Sequence, residues 1–151
     1  MAWDTSELRR RFSKPGNSDV VQYLANHHPS AHSDLVDELS TAAGPARANK
    51  FFCPNGSSYA YVLLYTDADV IYAIAIGMKQ IAFRLPTGAF AAAQMAGGEA
   101  APVIGTHWIS FPIFLPKSDI TVERARLKHW CGTAAAHADA GRNEESLQHP
   151  S

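Results

Sequence analysis

Arg84 and His107 are the residues with the clearest chemical use in this chain. A guanidinium holds an anion through its planar fork, and an imidazole exchanges a proton near neutral pH. Arg84 stands in an alternating segment, on the side opposite the core-facing Phe83. His107 alternates with Trp108 in another such segment. If these two strands are neighbours, the side chains flank one small-molecule or hydrolytic site, with Gly88, Gly97, Gly98 and Gly105 leaving room beside it.

Other groups have plainer uses. His27, His28 and His32, followed by Asp34, invite a metal reading, since His28 and His32 are four residues apart. That spacing places two ligands on one helical face, but Pro29 lies between them and breaks the helix the argument needs. A loop with several histidines is the simpler account, and no metal is assigned. Asp67 and Asp69 can hold a cation or move a proton, yet at i and i+2 of a turn they satisfy backbone groups instead. Cys53 sits beside Phe52 and Pro54, apolar surroundings that disfavour a reactive thiolate. The basic run Arg9, Arg10, Arg11 and Lys14 can touch phosphate, but with Asp4 and Glu7 beside it the run reads as a solvated helix face. There is no Gly-x-Ser-x-Gly, Gly-x-Gly-x-x-Gly or Gly-x-x-x-x-Gly-Lys pattern. The sequence therefore favours a non-enzymatic protein that needs no cofactor.

Composition sets the frame for these residues. The chain has 151 residues, 46% of them hydrophobic and 18% charged. That length suits one domain, read here as 1–138 followed by a polar, disordered tail over 139–151. Lys plus Arg is 13 and Asp plus Glu is 14, for a net charge of −1. Such a balance gives no overall attraction for nucleic acid or an anionic membrane. The apolar runs are interrupted by Asp67, Asp69, Lys79 and Arg84, short of the roughly 20 residues a spanning helix needs. The first twenty residues carry Arg9–Arg11 and no apolar segment, so a cytoplasmic protein is expected. Two cysteines, Cys53 and Cys131, define no disulfide framework and are read as buried thiols.

The elements that must position these residues follow from periodicity. Asp4 or Thr5 caps a short helix through Arg11, and Pro15-Gly16 ends it. Ser18 caps a helix carrying Val20, Val21 and Leu24, closed at His28-Pro29. Ser33 caps a third with Leu35, Val36, Leu39 and Ala43 on one stripe, stopped by Gly44-Pro45. From Phe51 the period changes from 3.6 to 2. Strands are predicted over 51–53, 59–65, 70–76 and 80–85, joined by short turns that favour an antiparallel meander. Thr87 caps a helix over 89–96, a loop follows over 97–102, and a further strand covers 106–111. Ser118 or Thr121 caps the long C-terminal helix, whose apolar face is Val122, Leu127, Trp130, Cys131, Ala134 and Ala138. The fold class is thus α+β.

The sheet segment carries the functional expectation. Between Phe51 and Pro116 the charged residues are Asp67, Asp69, Lys79, Arg84 and Glu99, five in 66 positions. An antiparallel sheet with one wet face normally shows charge on it. Two accounts fit. Either helices cover both faces, or a tyrosine-rich face stays partly exposed to bind a partner. On the second account Tyr59, Tyr61 and Tyr65, with Trp108, form the contact surface of a non-enzymatic protein-binding module. A homodimer that hides the same face is a further account. In its size, its lack of catalytic signatures and its aromatic sheet, the chain resembles small bacterial proteins that act by binding another protein, such as toxin-neutralising immunity proteins.

Overall fold

The computed structural model describes residues 6–27, 31–44, 49–53, 61–117 and 119–148, the side chains at 52, 53, 61 and 140–148 excepted. Its elements, in chain order, are α1 (Ser6–Arg11), a 3₁₀ turn (Pro15–Asn17), α2 (Ser18–His27) and α3 (Ser33–Ala43), followed by β1 (Asn49–Cys53), β2 (Tyr61–Tyr65), β3 (Ile71–Ile76) and β4 (Gln80–Arg84). A second 3₁₀ turn (Thr87–Ala89) leads into α4 (Phe90–Met95), then β5 (Glu99–Ala100), β6 (Trp108–Pro112) and α5 (Ile120–Gln148). The fold is α+β, as the periodicity predicts. Among the described residues no helix is long and apolar enough to cross a membrane.

The strands form one antiparallel sheet in the order β1-β2-β3-β4-β6-β5. The first four make the predicted meander. After α4 the chain returns beside β4, where Ile81 faces Phe111 and Phe83 faces Ile109. The stretch expected as a loop contains β5, whose Glu99 and Ala100 pair with Ser110 and Ile109. Two residues are too few for an alternation to be read, so only the partner strand reveals it.

Helices cover both faces, which accounts for the scarcity of charge. Cross-strand partners share a face. Phe83, Ile109 and Phe111 point toward α5, where the Phe111 and Trp130 rings stack at 5.9 Å. Leu35 and Leu39 of α3 and Leu127, Cys131 and Ala134 of α5 are buried with them. On the other face Phe12, just past α1, meets Phe51 edge-on at 5.3 Å and Tyr65 at 5.1 Å. Asn17 is fully buried there. Its Nδ2 donates to the Asp69 carbonyl at 2.7 Å and its Oδ1 accepts from the Ile71 amide at 2.9 Å. One side chain thus ties the 3₁₀ turn to the β2–β3 turn.

Several boundaries differ from the sequence reading. The cap of α3 is His32, whose Nδ1 accepts from the Asp34 amide at 3.1 Å, and Ser33 is the first helical residue. The His32 amide is itself held by the Gly77 carbonyl at 2.8 Å. That bond keeps His32 extended, and the helix begins one residue later. At α5 the cap is Asp119, whose Oδ1 accepts from the Thr121 amide at 2.8 Å, while Thr121 lies inside the helix. Ser118 lies outside the described residues. Val122, expected on the apolar face, is exposed, and Glu123 is buried in its place. Glu123 precedes Leu127 by four residues and so shares its face. Its Oε2 meets no hydrogen-bond partner among the described residues, a burial that costs stability. The α5 backbone continues past Ala138 to Gln148, through the polar stretch that the sequence reading sets apart as a tail.

Candidate ligand cleft between α2 and the 102–106 loop

Helix α2 places Val20, Val21, Leu24 and Ala25 in the core. The opposite positions carry Asp19, Tyr23 and His27, spaced i, i+4, i+8 and so aligned in one row. Gln22 and Asn26 form a second row beside the first. Both rows line a cleft of about 410 Å³, closed on the far side by Pro102, Val103, Ile104, Gly105 and Thr106.

The loop is firmly built. The Ala101 amide donates to the Trp108 carbonyl at 2.9 Å, and the Ile104 and Gly105 amides donate to the Ala101 carbonyl at 3.0 and 3.2 Å. Ile104 and Trp108 are buried and anchor it. Gly105 permits the close approach to α2. A Cβ there would lie 2.9 Å from both Asp19 Cβ and Trp108 Cδ1. No side chain fits without displacing one of the two elements.

The cleft is rich in hydrogen-bonding groups. It offers a carboxylate, two amides, a phenol and an imidazole. Tyr23 and His27 stack at 4.9 Å with 30° between planes, giving an aromatic wall. Partial burial pushes the Tyr23 phenol above its ordinary value. Asp19 brings the one formal negative charge, and no Lys or Arg stands among the lining residues.

The residues singled out from sequence fall elsewhere. Trp108 is buried, and so is Tyr65, with the Arg11 guanidinium over its ring at 4.7 Å and donating to its hydroxyl at 2.5 Å. Neither is displayed to a partner, because the α1–α2 layer covers that face. Tyr59 and the side chain of Tyr61 lie outside the described residues. Arg84 ends β4 and His107 immediately precedes the neighbouring β6, but the register pairs Arg84 with Trp108. His107, one residue earlier, therefore leaves the sheet on the other face. Arg84 rests against the 3₁₀ turn, where a Cβ on Gly16 would sit 3.1 Å from its Nη1. His107 lies edge-on to Phe90 of α4 at 6.5 Å. The register thus sets Arg84 and His107 toward opposite sides of the sheet.

The remaining candidates have structural work. His32 caps α3, His27 stacks on Tyr23, and His28 is outside the described residues. Among the described residues no three His, Cys, Asp or Glu side chains gather to hold a metal. Asp67 Oδ1 accepts from Asn49 Nδ2 at 2.9 Å, and Asp69 adopts φ 62° in its turn. Cys131 is buried, and the side chain of Cys53 lies outside the described residues.

The sequence reading missed Asp19, Gln22, Tyr23 and Asn26. Their signal was present as a polar row opposite an apolar stripe, but any amphipathic helix shows the same. Comparison with protein-family models, curated proteins and solved structures finds no match to this chain.

Proposed function

We propose that this protein binds a small polar molecule in the cleft between α2 and the 102–106 loop. The observation that carries the reading is the convergence of Asp19, Gln22, Tyr23, Asn26 and His27 on one concavity of about 410 Å³. That volume is within the range of ligand sites, and converging polar groups give such sites their specificity. The lining suits a ligand with its own donors and a flat surface to lie on Tyr23 and His27.

The test is a thermal-shift screen of metabolites on the full chain, repeated with Gln22→Ala/Asn26→Ala. Both side chains are exposed, so the double variant keeps the wild-type melting temperature. A ligand that stabilises the wild type and not the variant supports the reading. A screen without ligands, or one whose ligands stabilise both proteins equally, refutes it.

A second reading keeps a protein partner, on different residues. Met78 and Leu115 are exposed at 67% and 42%, and Val122 at 53%. The Ile113 amide donates to the Lys79 carbonyl at 2.8 Å, which brings the turn bearing Met78 beside the segment bearing Leu115. Exposed apolar side chains on adjacent segments suit a protein contact. Met78→Glu/Leu115→Glu is expected to lose a partner that the wild type captures. Equal capture by both proteins would remove this reading.

A further inference from the structure

The fold divides the basic run of the sequence. Arg11 is taken up by Tyr65. Arg9 instead lines a second cleft, of about 250 Å³, together with Lys14, Ser13 and Ser18, above the buried Phe12 and Val21. Two cationic residues and two with hydroxyls line it, and no carboxylate stands among the lining residues. Among the described residues the ion pairs are His32–Asp34 and Arg124–Glu38, so neither Arg9 nor Lys14 is neutralised by one. A concavity with paired cations and hydroxyl donors selects an oxyanion, and charge-assisted bonds to phosphate are among the stronger polar contacts.

We propose that this cleft seats the phosphate group of a small soluble phosphomonoester. Arg9 and Lys14 supply the charge, and Ser13 and Ser18 supply hydroxyl donors. The net charge of −1 gives no overall attraction for a polyanion, so a small phosphate ester is the better match for one local pair of cations. Gln22 lines both this cleft and the one between α2 and the 102–106 loop. The two are therefore neighbours across the exposed ridge of α2. The joined reading, a phosphorylated polar ligand whose body lies along Tyr23 and Asn26, rests on the function proposed above; the phosphate seat does not.

The experiment is an NMR titration of the ¹⁵N-labelled full chain with inorganic phosphate, against chloride at matched ionic strength. Saturable shifts are expected at the amides of Arg9, Ser13, Lys14 and Ser18 with phosphate alone. Arg9→Ala and Lys14→Ala are each expected to weaken phosphate about tenfold, without change in melting temperature. Shifts that do not saturate, that chloride reproduces, or that both variants retain overturn the proposal. Sedimentation with phosphatidic acid vesicles, in a protein silent to soluble phosphate, overturns it in favour of a lipid surface. Ribose 5-phosphate and ribose then probe the joined reading. Added shifts at Tyr23, Asn26 and Thr106 with ribose 5-phosphate support it. Their absence, while phosphate still binds, overturns the joined ligand and leaves the seat standing.

Discussion

The two faces of the sheet are covered by helices of different character. Toward α3 and α5 the contact is mainly apolar, with Leu35, Leu39, Phe83, Phe111, Leu127 and Trp130 interleaved. Toward α1 and α2 polar groups share the work: Asn17 bonds two backbone groups of the β2–β3 turn, and Arg11 covers Tyr65. An apolar interface is stabilised by filling its volume. A polar one needs directional partners. Both proposed clefts border α2, on the polar side. The clefts proposed above thus border the layer in which polar groups carry part of the contact.

The largest expected effect tests the apolar face. Phe111 is fully buried between Phe83 and Trp130, and Phe111→Ala is expected to cost about 3–5 kcal/mol in urea denaturation. A cost below about 2 kcal/mol, the low end for large-to-small core changes, would end the claim that this layer carries the stability.

A smaller effect tests the polar face. Asn17→Ala leaves the Ile71 amide and the Asp69 carbonyl without the partner each has now. The expected cost is about 1–3 kcal/mol, the penalty of unmet buried polar groups. Hydrogen exchange should accelerate at Ile71 more than at Phe83. A uniform acceleration would mean that the two layers do not behave separately.

The smallest effect appears only in alkali. Burial holds the Tyr23 phenol above its ordinary value of 10.0, so above that pH the folded chain keeps a proton that the unfolded chain releases. This contribution is fully present below the unfolded value and is lost as the pH rises through the folded one. Wild type should therefore lose stability more steeply than Tyr23→Phe above about pH 10, and match it in slope near pH 7. Parallel curves throughout would place the phenol in water and weaken the description of the cleft wall.

Much of the fold was legible because local patterns carry it. Period-2 segments at Val70–Ile76 and Gln80–Leu85 match β3 and β4 to within a residue. Gly44 ends α3 as expected, with φ 75°. The caps were misread because a cap depends on which residue is held extended, and at His32 the holder is Gly77, 45 positions along the chain. The sheet's tyrosines were read from composition, which does not show what lies over them. Phe12 and Arg11, far from Tyr65 in sequence, cover it.

The α+β class, the meander, the long C-terminal helix and the basic run are all readable from the chain, since each depends on residues close together in it. Tertiary structure alone decided that helices cover both faces, that register parity sends Arg84 and His107 to opposite faces, and that Gly105 lets α2 meet the 102–106 loop. The physical reason is common to all three. Each depends on contacts between segments distant in sequence, where a single residue of register or the volume of one Cβ decides which side chains can meet.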